Sequence, residues 1–210
     1  ASELKALHRG LEGRLEVDHA SLAEFFHYGY ISGSRSIYRH TCKLEPGNWL
    51  KVTPGFSLEK GRYWDFPEAP TDGQRDEGKY LDELEEIMKD AFSLRLVADV
   101  PVGVFLSGGV DSSLVTAILA RHTTAPVKTF TIGFREKSYD ESGWARRIAN
   151  FLGTEHTEET VTPEHAREIL PLWPEIYDEP FGDISGIPTA IVARMTRKHV
   201  KVSLSADGGD

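Results

Sequence analysis

The 210-residue chain is poor in three things. It has a single cysteine, Cys42, so no internal disulfide framework holds it and a reducing compartment suits it. It has no long apolar run. The strongest, Asp99 to Leu106 (DVPVGVFL), is strand-sized, far short of the roughly 20 residues that span a bilayer as a helix. It also lacks a basic excess, with 24 Lys and Arg against 33 Asp and Glu and a formal net charge of −9. Gripping a phosphate backbone demands a basic face, which argues against nucleic acid as the main partner. The opening ASELKALHRG carries charges and no apolar signal core, so a cytoplasmic chain without a membrane partner is expected. What is present is ordinary for a folded protein: 40% hydrophobic, 27% charged and 10% aromatic residues. The length suits one to two domains with a core of their own.

Texture changes along the chain. SELKAL and SLAEFFHYGY read as short helices, the second with Ser21 as N-cap and Leu22, Phe25 and Phe26 on one apolar face. Ser36 to Trp64 reads as β structure, with Pro46-Gly47 and Pro54-Gly55 as hairpin turns. Phe66 to Gly78, rich in Pro, Gly and charge, reads as a linker or surface loop. Beyond it one rhythm repeats. Helices are expected at Lys79–Val97, Ser112–His122, Asp140–Leu152 (stopped by Gly153), from Pro163, and at Ile187–His199. Strands are expected at Val100–Leu106, Val127–Phe134, Glu155–Val161 and Val200–Ser205. Buried, non-alternating strands between helices imply an α/β fold with a parallel sheet covered on both faces. Strand order is not readable.

The chemistry concentrates in FLSGGVDSS, Phe105 to Ser113. An apolar strand runs into Gly108-Gly109, where the missing Cβ atoms let the backbone turn sharply and approach a ligand. A following helix offers N–H groups and the positive end of its dipole to an anion such as phosphate. Ser107, Ser112 and Ser113 add hydroxyls. Asp111 would repel a phosphate, and a divalent cation between them resolves the conflict, Mg²⁺ being suited to hard oxygen ligands. No lysine follows the glycines, so this is not a Walker A loop, and no G-x-G-x-x-G is present. A bare glycine turn with a serine cap would look similar, but S-G-G-x-D-S arises by chance in roughly 3 of 10,000 chains of this length.

SGGVDSS resembles the pyrophosphate-binding loop of the ATP pyrophosphatase (PP-loop) superfamily, whose members cleave ATP between its α and β phosphates and adenylate an acceptor. FTIGF (Phe130–Phe134), YDES (Tyr139–Ser142), YDEPFGDISGIPT (Tyr177–Thr189) and VSLSADGGD (Val202–Asp210) narrow the match. With SELKAL, Phe25–Leu50 and RYWDF (Arg62–Phe66), they resemble glutamine-hydrolysing asparagine synthetases of the bacterial B type along essentially the whole chain. The resemblance implies an adenine nucleotide α hydrolase-like sheet over residues 79–210. Before it would come the helix-plus-β tail of a glutaminase domain (1–66) and a linker (67–78). It implies an ATP-dependent ligase that adenylates the aspartate side chain, releases AMP and pyrophosphate, and uses ammonia from glutamine, with ATP and Mg²⁺ as cofactors and a homodimer as a possible assembly.

Residue by residue, it implies that Leu106 and Ile132 flank the adenine and ribose, and that Ser107, Gly108, Gly109, Asp111, Ser112 and Ser113 hold the pyrophosphate. Ser205 and Ala206 would line the nucleotide, Ala206 standing where the family usually has Gly. Asp207 would serve formation of the aspartyl-adenylate, and Asp111 and Asp210 would hold the metal. The last two lie far apart in sequence, but each follows the carboxyl end of an expected parallel strand, where both could meet one ion. Glu141, Asp178 and Glu179 fall in matching segments but read equally as dipole-complementing or solvated charges. The eight histidines show no metal-ligand spacing. The chain also departs from the family. Ala1 stands where a nucleophilic N-terminal cysteine is expected, Cys42 reads as a structural thiol, and the family continues past Asp210 into a half that supplies a catalytic lysine. An internal piece, inactive by itself as glutaminase or synthetase, is the expectation. The alternatives are an amide former acting on another carboxylate, as β-lactam synthetase does, a tRNA-modifying adenylase, and a nucleotide-binding piece without turnover. Net charge and missing CxxC pairs oppose the tRNA enzyme.

Overall fold

The computed structural model describes residues 1–11, 15–68 and 76–207. In chain order its elements are α1 (Leu4–Gly10), α2 (His19–Tyr28), β1 (Asn48–Thr53), β2 (Ser57–Arg62), α3 (Glu77–Arg95), β3 (Val102–Phe105), α4 (Val110–His122), β4 (Lys128–Phe134), α5 (Ser142–Leu152), β5 (Glu155–Val161), α6 (Pro163–Ile169), α7 (Trp173–Ile176), α8 (Gly186–Thr196) and β6 (Val202–Leu204). They form two compact units, residues 1–73 with 172–184 and residues 74–171 with 185–210.

In the first unit, α2 starts earlier than the sequence suggests. Asp18 is its N-cap and accepts the Ser21 N–H at 3.1 Å and hydroxyl at 2.8 Å, so Ser21 is buried as the capped residue rather than the cap. Phe26, expected on the apolar face, is 78% exposed. β1 and β2 form an antiparallel hairpin with Asn48 opposite Arg62 and Thr53 opposite Ser57. Pro54-Gly55 makes its turn, with Gly55 and Phe56 both at positive φ. Pro46-Gly47 is no hairpin turn. It leads into β1, and Gly47 (φ +70°) passes so close to Trp64 that a Cβ would sit 2.2 Å from that residue's carbonyl oxygen. Between Ser36 and Trp64 these are the only strands described; apart from them, isolated bridges pair Tyr38 with Val17 and Cys42 with Arg35. Cys42 is exposed, so its thiol is not a core element.

The second unit is the expected α/β fold. Four parallel strands lie in the order β5-β4-β3-β6. Alternation along β3 sorts the two faces. Val104 packs with Val115 and Leu119 of α4, and Leu106 with Ala145 and Ala149 of α5. Phe105, between them, joins Phe130 and Met195 of α8 on the opposite face. Helices therefore cover both sides of the sheet, with α3 laid on α4. Connections from β3 run through α4 to β4 and through α5 to β5, and the chain then returns to place β6 on the other side of β3. That reversal makes a crevice beyond the carboxyl ends of β3 and β6, the place where open α/β sheets bind ligands. The 67–78 linker of the sequence reading falls partly outside the described residues, and its last residues, Glu77 and Gly78, already belong to α3 behind the N-cap Asp76.

Candidate functional site

The loop from Leu106 to Gly109 opens at this crevice. Leu106 closes the strand, its N–H bonded to the Phe130 carbonyl at 2.9 Å and its own carbonyl accepting the Thr131 hydroxyl. Its side chain is buried under α5, and Ile132 packs toward α8. The side chains at these two strand ends are thus committed to packing under the helices. Gly108 turns the chain at φ +93°, and a Cβ there would lie 2.8 Å from the Ala145 nitrogen and 2.9 Å from the Trp144 Cβ. No other residue fits without moving α5. Gly109 is extended (φ −71°) and serves as N-cap of α4, so the helix begins at Val110, two residues before the expected start. The N–H groups of Val110, Asp111 and Ser112 are the ones a helix start leaves without an intrahelical acceptor.

The serines shape the loop from inside. Ser112 is buried, its Oγ 2.9 Å from the Ser107 Oγ and accepting the Ser107 N–H at 3.2 Å. The Gly109 N–H reaches the Ser107 Oγ at 3.2 Å, and the Ser113 hydroxyl donates to the Gly109 carbonyl at 2.5 Å. This network fixes the loop so that its outward groups are backbone N–H and the Asp111 carboxylate.

After β6, Ser205 and Asp207 are exposed and linked, the Ser205 hydroxyl donating to the Asp207 carboxylate at 2.7 Å. Ala206 packs with the core cluster of Val104. Asp111, Ser205, Ala206 and Asp207 line one cavity of about 210 Å³, floored by Leu114, Val115 and Leu204 and walled by Phe92 and Arg95 of α3. The structure thus brings Asp111 to the segment carrying Asp207, while Asp210 lies outside the described residues. Among the described residues no three His, Cys, Asp or Glu side chains cluster as a ready metal cage. The Asp111 carboxylate on this cavity suits Mg²⁺ all the same, since that ion keeps waters and takes one or two carboxylates beside substrate phosphates.

Two groups near the sheet were not foreseen. Asp140 accepts the N–H groups of Phe134 and Ser142, each at 3.2 Å. Bonds from the Ser142 hydroxyl and N–H, then from the Phe134 N–H, hold its carboxyl below the usual aspartate range. An Asp two residues ahead of a Ser at a helix start is a capping signal that could have found it. His156 faces Thr129, Nδ1 to Oγ1 2.9 Å, and burial pushes its pKa down. Asp178 and Glu179, by contrast, lie in the first unit. Asp178 accepts the Lys5 N–H at 3.0 Å in the first turn of α1 and pairs with the Lys5 ammonium. Glu179 accepts the Ile37 N–H at 2.8 Å and pairs with Lys43 at 2.6 Å. Glu141 is exposed, and its side chain makes no cap bond to α5.

Residues 83–210 match the asparagine synthase family. The chain belongs to that family. It is 36% identical over its whole length to a putative glutamine-hydrolyzing asparagine synthetase 2 of Methanocaldococcus jannaschii, covering 41% of that protein. It is 31% identical over its whole length to glutamine-hydrolyzing asparagine synthetase 1 of Bacillus subtilis, covering 33% of it. The chain therefore spans between a third and two fifths of these relatives. An NH3-dependent NAD synthetase from Campylobacter jejuni overlays 59% of this chain and 54% of its own at 17% identity, with a TM-score of 0.40, too slight a likeness to add to the assignment.

Proposed function

We propose that the second unit is the ATP-binding part of an amide-forming ligase that adenylates the side chain of aspartate. The observation that carries this reading is the Gly108-Gly109 turn, which feeds the N-terminus of α4, whose first-turn Asp111 lines a cavity with Asp207. The loop N–H groups and the positive end of α4 would receive the β and γ phosphates of ATP, and the strand ends at Leu106 and Ile132 would meet the adenosine through their backbone. An aspartate carboxylate oxygen attacks the α phosphorus, the bond from that phosphorus to the bridging oxygen breaks, and pyrophosphate departs into the loop. Ammonia then attacks the acyl carbon, loses a proton, and displaces AMP to leave the amide.

Mg²⁺ held by Asp111 and Asp210 would neutralise the charge building on the departing pyrophosphate. Ser205 and Ala206 would line the nucleotide, and Asp207, oriented by the Ser205 hydroxyl, would stand beside the carboxylate being activated. Similarity to glutamine-hydrolyzing asparagine synthetases supports aspartate as acceptor and glutamine as nitrogen source. Residues 1–66 are read as the tail of the glutaminase part, residues 67–78 as its linker to the synthetase, and the cytoplasm as the place of work. Among the described residues no helix is long and apolar enough to cross a membrane.

The test is chromatography of the nucleotide left after the full-length enzyme that carries this chain is incubated with aspartate, ammonium, ATP and Mg²⁺. AMP with pyrophosphate is expected, and ADP with phosphate overturns the reading, because a loop built for pyrophosphate has no lysine aimed at a γ phosphate.

A further inference from the structure

The outward face of the loop accounts for binding, but something must also hold the loop in its one productive shape. Gly108 is pinned from outside by the first turn of α5, where the Trp144 Cβ and Ala145 nitrogen stand within van der Waals contact of the place a Cβ would take. That turn is positioned in its own right. The Trp144 and Ala145 N–H groups bond the Glu141 carbonyl at 3.0 and 3.1 Å, and Ala145 is fully buried against Leu106. One side chain ties the start of this turn to the end of β4. Asp140 Oδ1 accepts both the Phe134 N–H, the last of the strand, and the Ser142 N–H, the first of the helix.

The backbone makes room for this clamp. Gly133 has no Cβ, and one placed there would sit 3.0 Å from the Ser142 Oγ and 3.1 Å from Asp140 Oδ1. Ser142 is buried in the joint. A carboxylate that accepts N–H groups from two elements fixes their angle more tightly than either bond alone, and removing it frees both donors to seek water.

We infer that Asp140 is a positioning residue: by clamping the start of α5 to the end of β4 it holds Trp144 and Ala145 against Gly108, and so keeps the glycine loop in its anion-receiving shape. Its effect on nucleotide rests on the function proposed above, whereas its effect on the loop does not.

The experiment separates the two. Hydrogen exchange of the peptide over residues 106–113 reads the loop without nucleotide, and titration calorimetry reads ATP affinity, both in the 210-residue chain. The variants are Asp140→Ala, Asp140→Asn and Asp76→Ala. Asn keeps an acceptor oxygen, and Asp76→Ala removes a helix cap elsewhere in the same unit, where Asp76 accepts the Gly78 N–H at 3.1 Å. Asp140→Ala should speed exchange of the loop peptide about tenfold and weaken ATP binding about as much, the size expected for a lost cap. Asp140→Asn should restore both to within about threefold, and Asp76→Ala should lower melting temperature and leave the loop unmoved. Equal exchange of the loop peptide in Asp140→Ala and Asp76→Ala would overturn the inference, reducing Asp140 to a stabilising cap. If the loop responds as described but the unaltered chain binds no ATP, the positioning role stands and the proposed function falls.

Discussion

Asp111 and Asp207 are exposed at the mouth of a cavity and have between them, among the described residues, one hydrogen-bonding side chain, Ser205. Asp178 and Glu179 are half-buried and committed, each to a backbone N–H and a lysine. All four stand in the part of the chain that matches the same family. The difference teaches that motif membership does not separate a ligand site from a staple. The count of satisfied lone pairs does: a carboxylate already bonded to a backbone N–H and a lysine has little left for a metal or substrate, while one facing an open cavity keeps at least one oxygen available.

The strongest way to break the comparison is to damage the loop that makes Asp111 useful. Gly108→Ala places a methyl group 2.8 Å from a backbone nitrogen at a left-handed φ. It should cost on the order of 2–4 kcal/mol in denaturant unfolding and abolish ATP binding. Gly109→Ala, at an ordinary φ with its nearest contact 3.4 Å away, should stay within about 1 kcal/mol of the parent. Equal losses at the two glycines would mean that the loop is no more constrained at one than at the other.

Next come the two kinds of carboxylate. Asp178→Ala should destabilise the first unit by about 1–2 kcal/mol, since it leaves the Lys5 N–H without its acceptor and removes one of the ammonium's partners, and should not change ATP affinity. Asp111→Asn should do the reverse: unfolding within about 0.5 kcal/mol of the parent, with the magnesium-dependent gain in ATP affinity lost. A stability loss at Asp111 matching that at Asp178 would erase the distinction.

The smallest effect sharpens it from a third side. His156 is half-buried on β5, with its Nε2 4.0 Å from Glu158. Because burial lowers its pKa from 6.5, the unfolded chain takes up the proton first as pH falls. Stability should therefore be full above about pH 7 and decline as pH drops below about 6.5. His156→Gln should flatten that part of the profile in thermal melts across pH, and an unchanged slope would contradict the assignment.

Much of the second unit is legible in sequence because its signals are local. Gly108-Gly109 between an apolar strand and a helix announces the loop, Gly153 ends α5 in the left-handed conformation expected of it, and Pro163 opens α6 as predicted. What escapes reading is set by partners distant in sequence. Nothing in VKVSLS says that β6 will pair with β3, and nothing in SGGVDSS says that Ser112 will turn inward to brace Ser107 instead of facing the ligand. Asp18 displaced Ser21 as cap for a related reason: both residues can cap, and only the closed turn shows which one accepts. Periodicity puts Phe26 on an apolar face, but it reports a stripe and not whether anything covers it.

The most direct measurement is titration calorimetry of ATP into the chain with Mg²⁺ and again with excess chelator, for the parent and for Asp111→Asn. Chelation should weaken binding to the parent about tenfold or more and change Asp111→Asn little, because the carboxylate and the ion act through each other. Binding that ignores both the chelator and the substitution would contradict the claim that the Gly108-Gly109 loop and Asp111 form a metal-assisted pyrophosphate site.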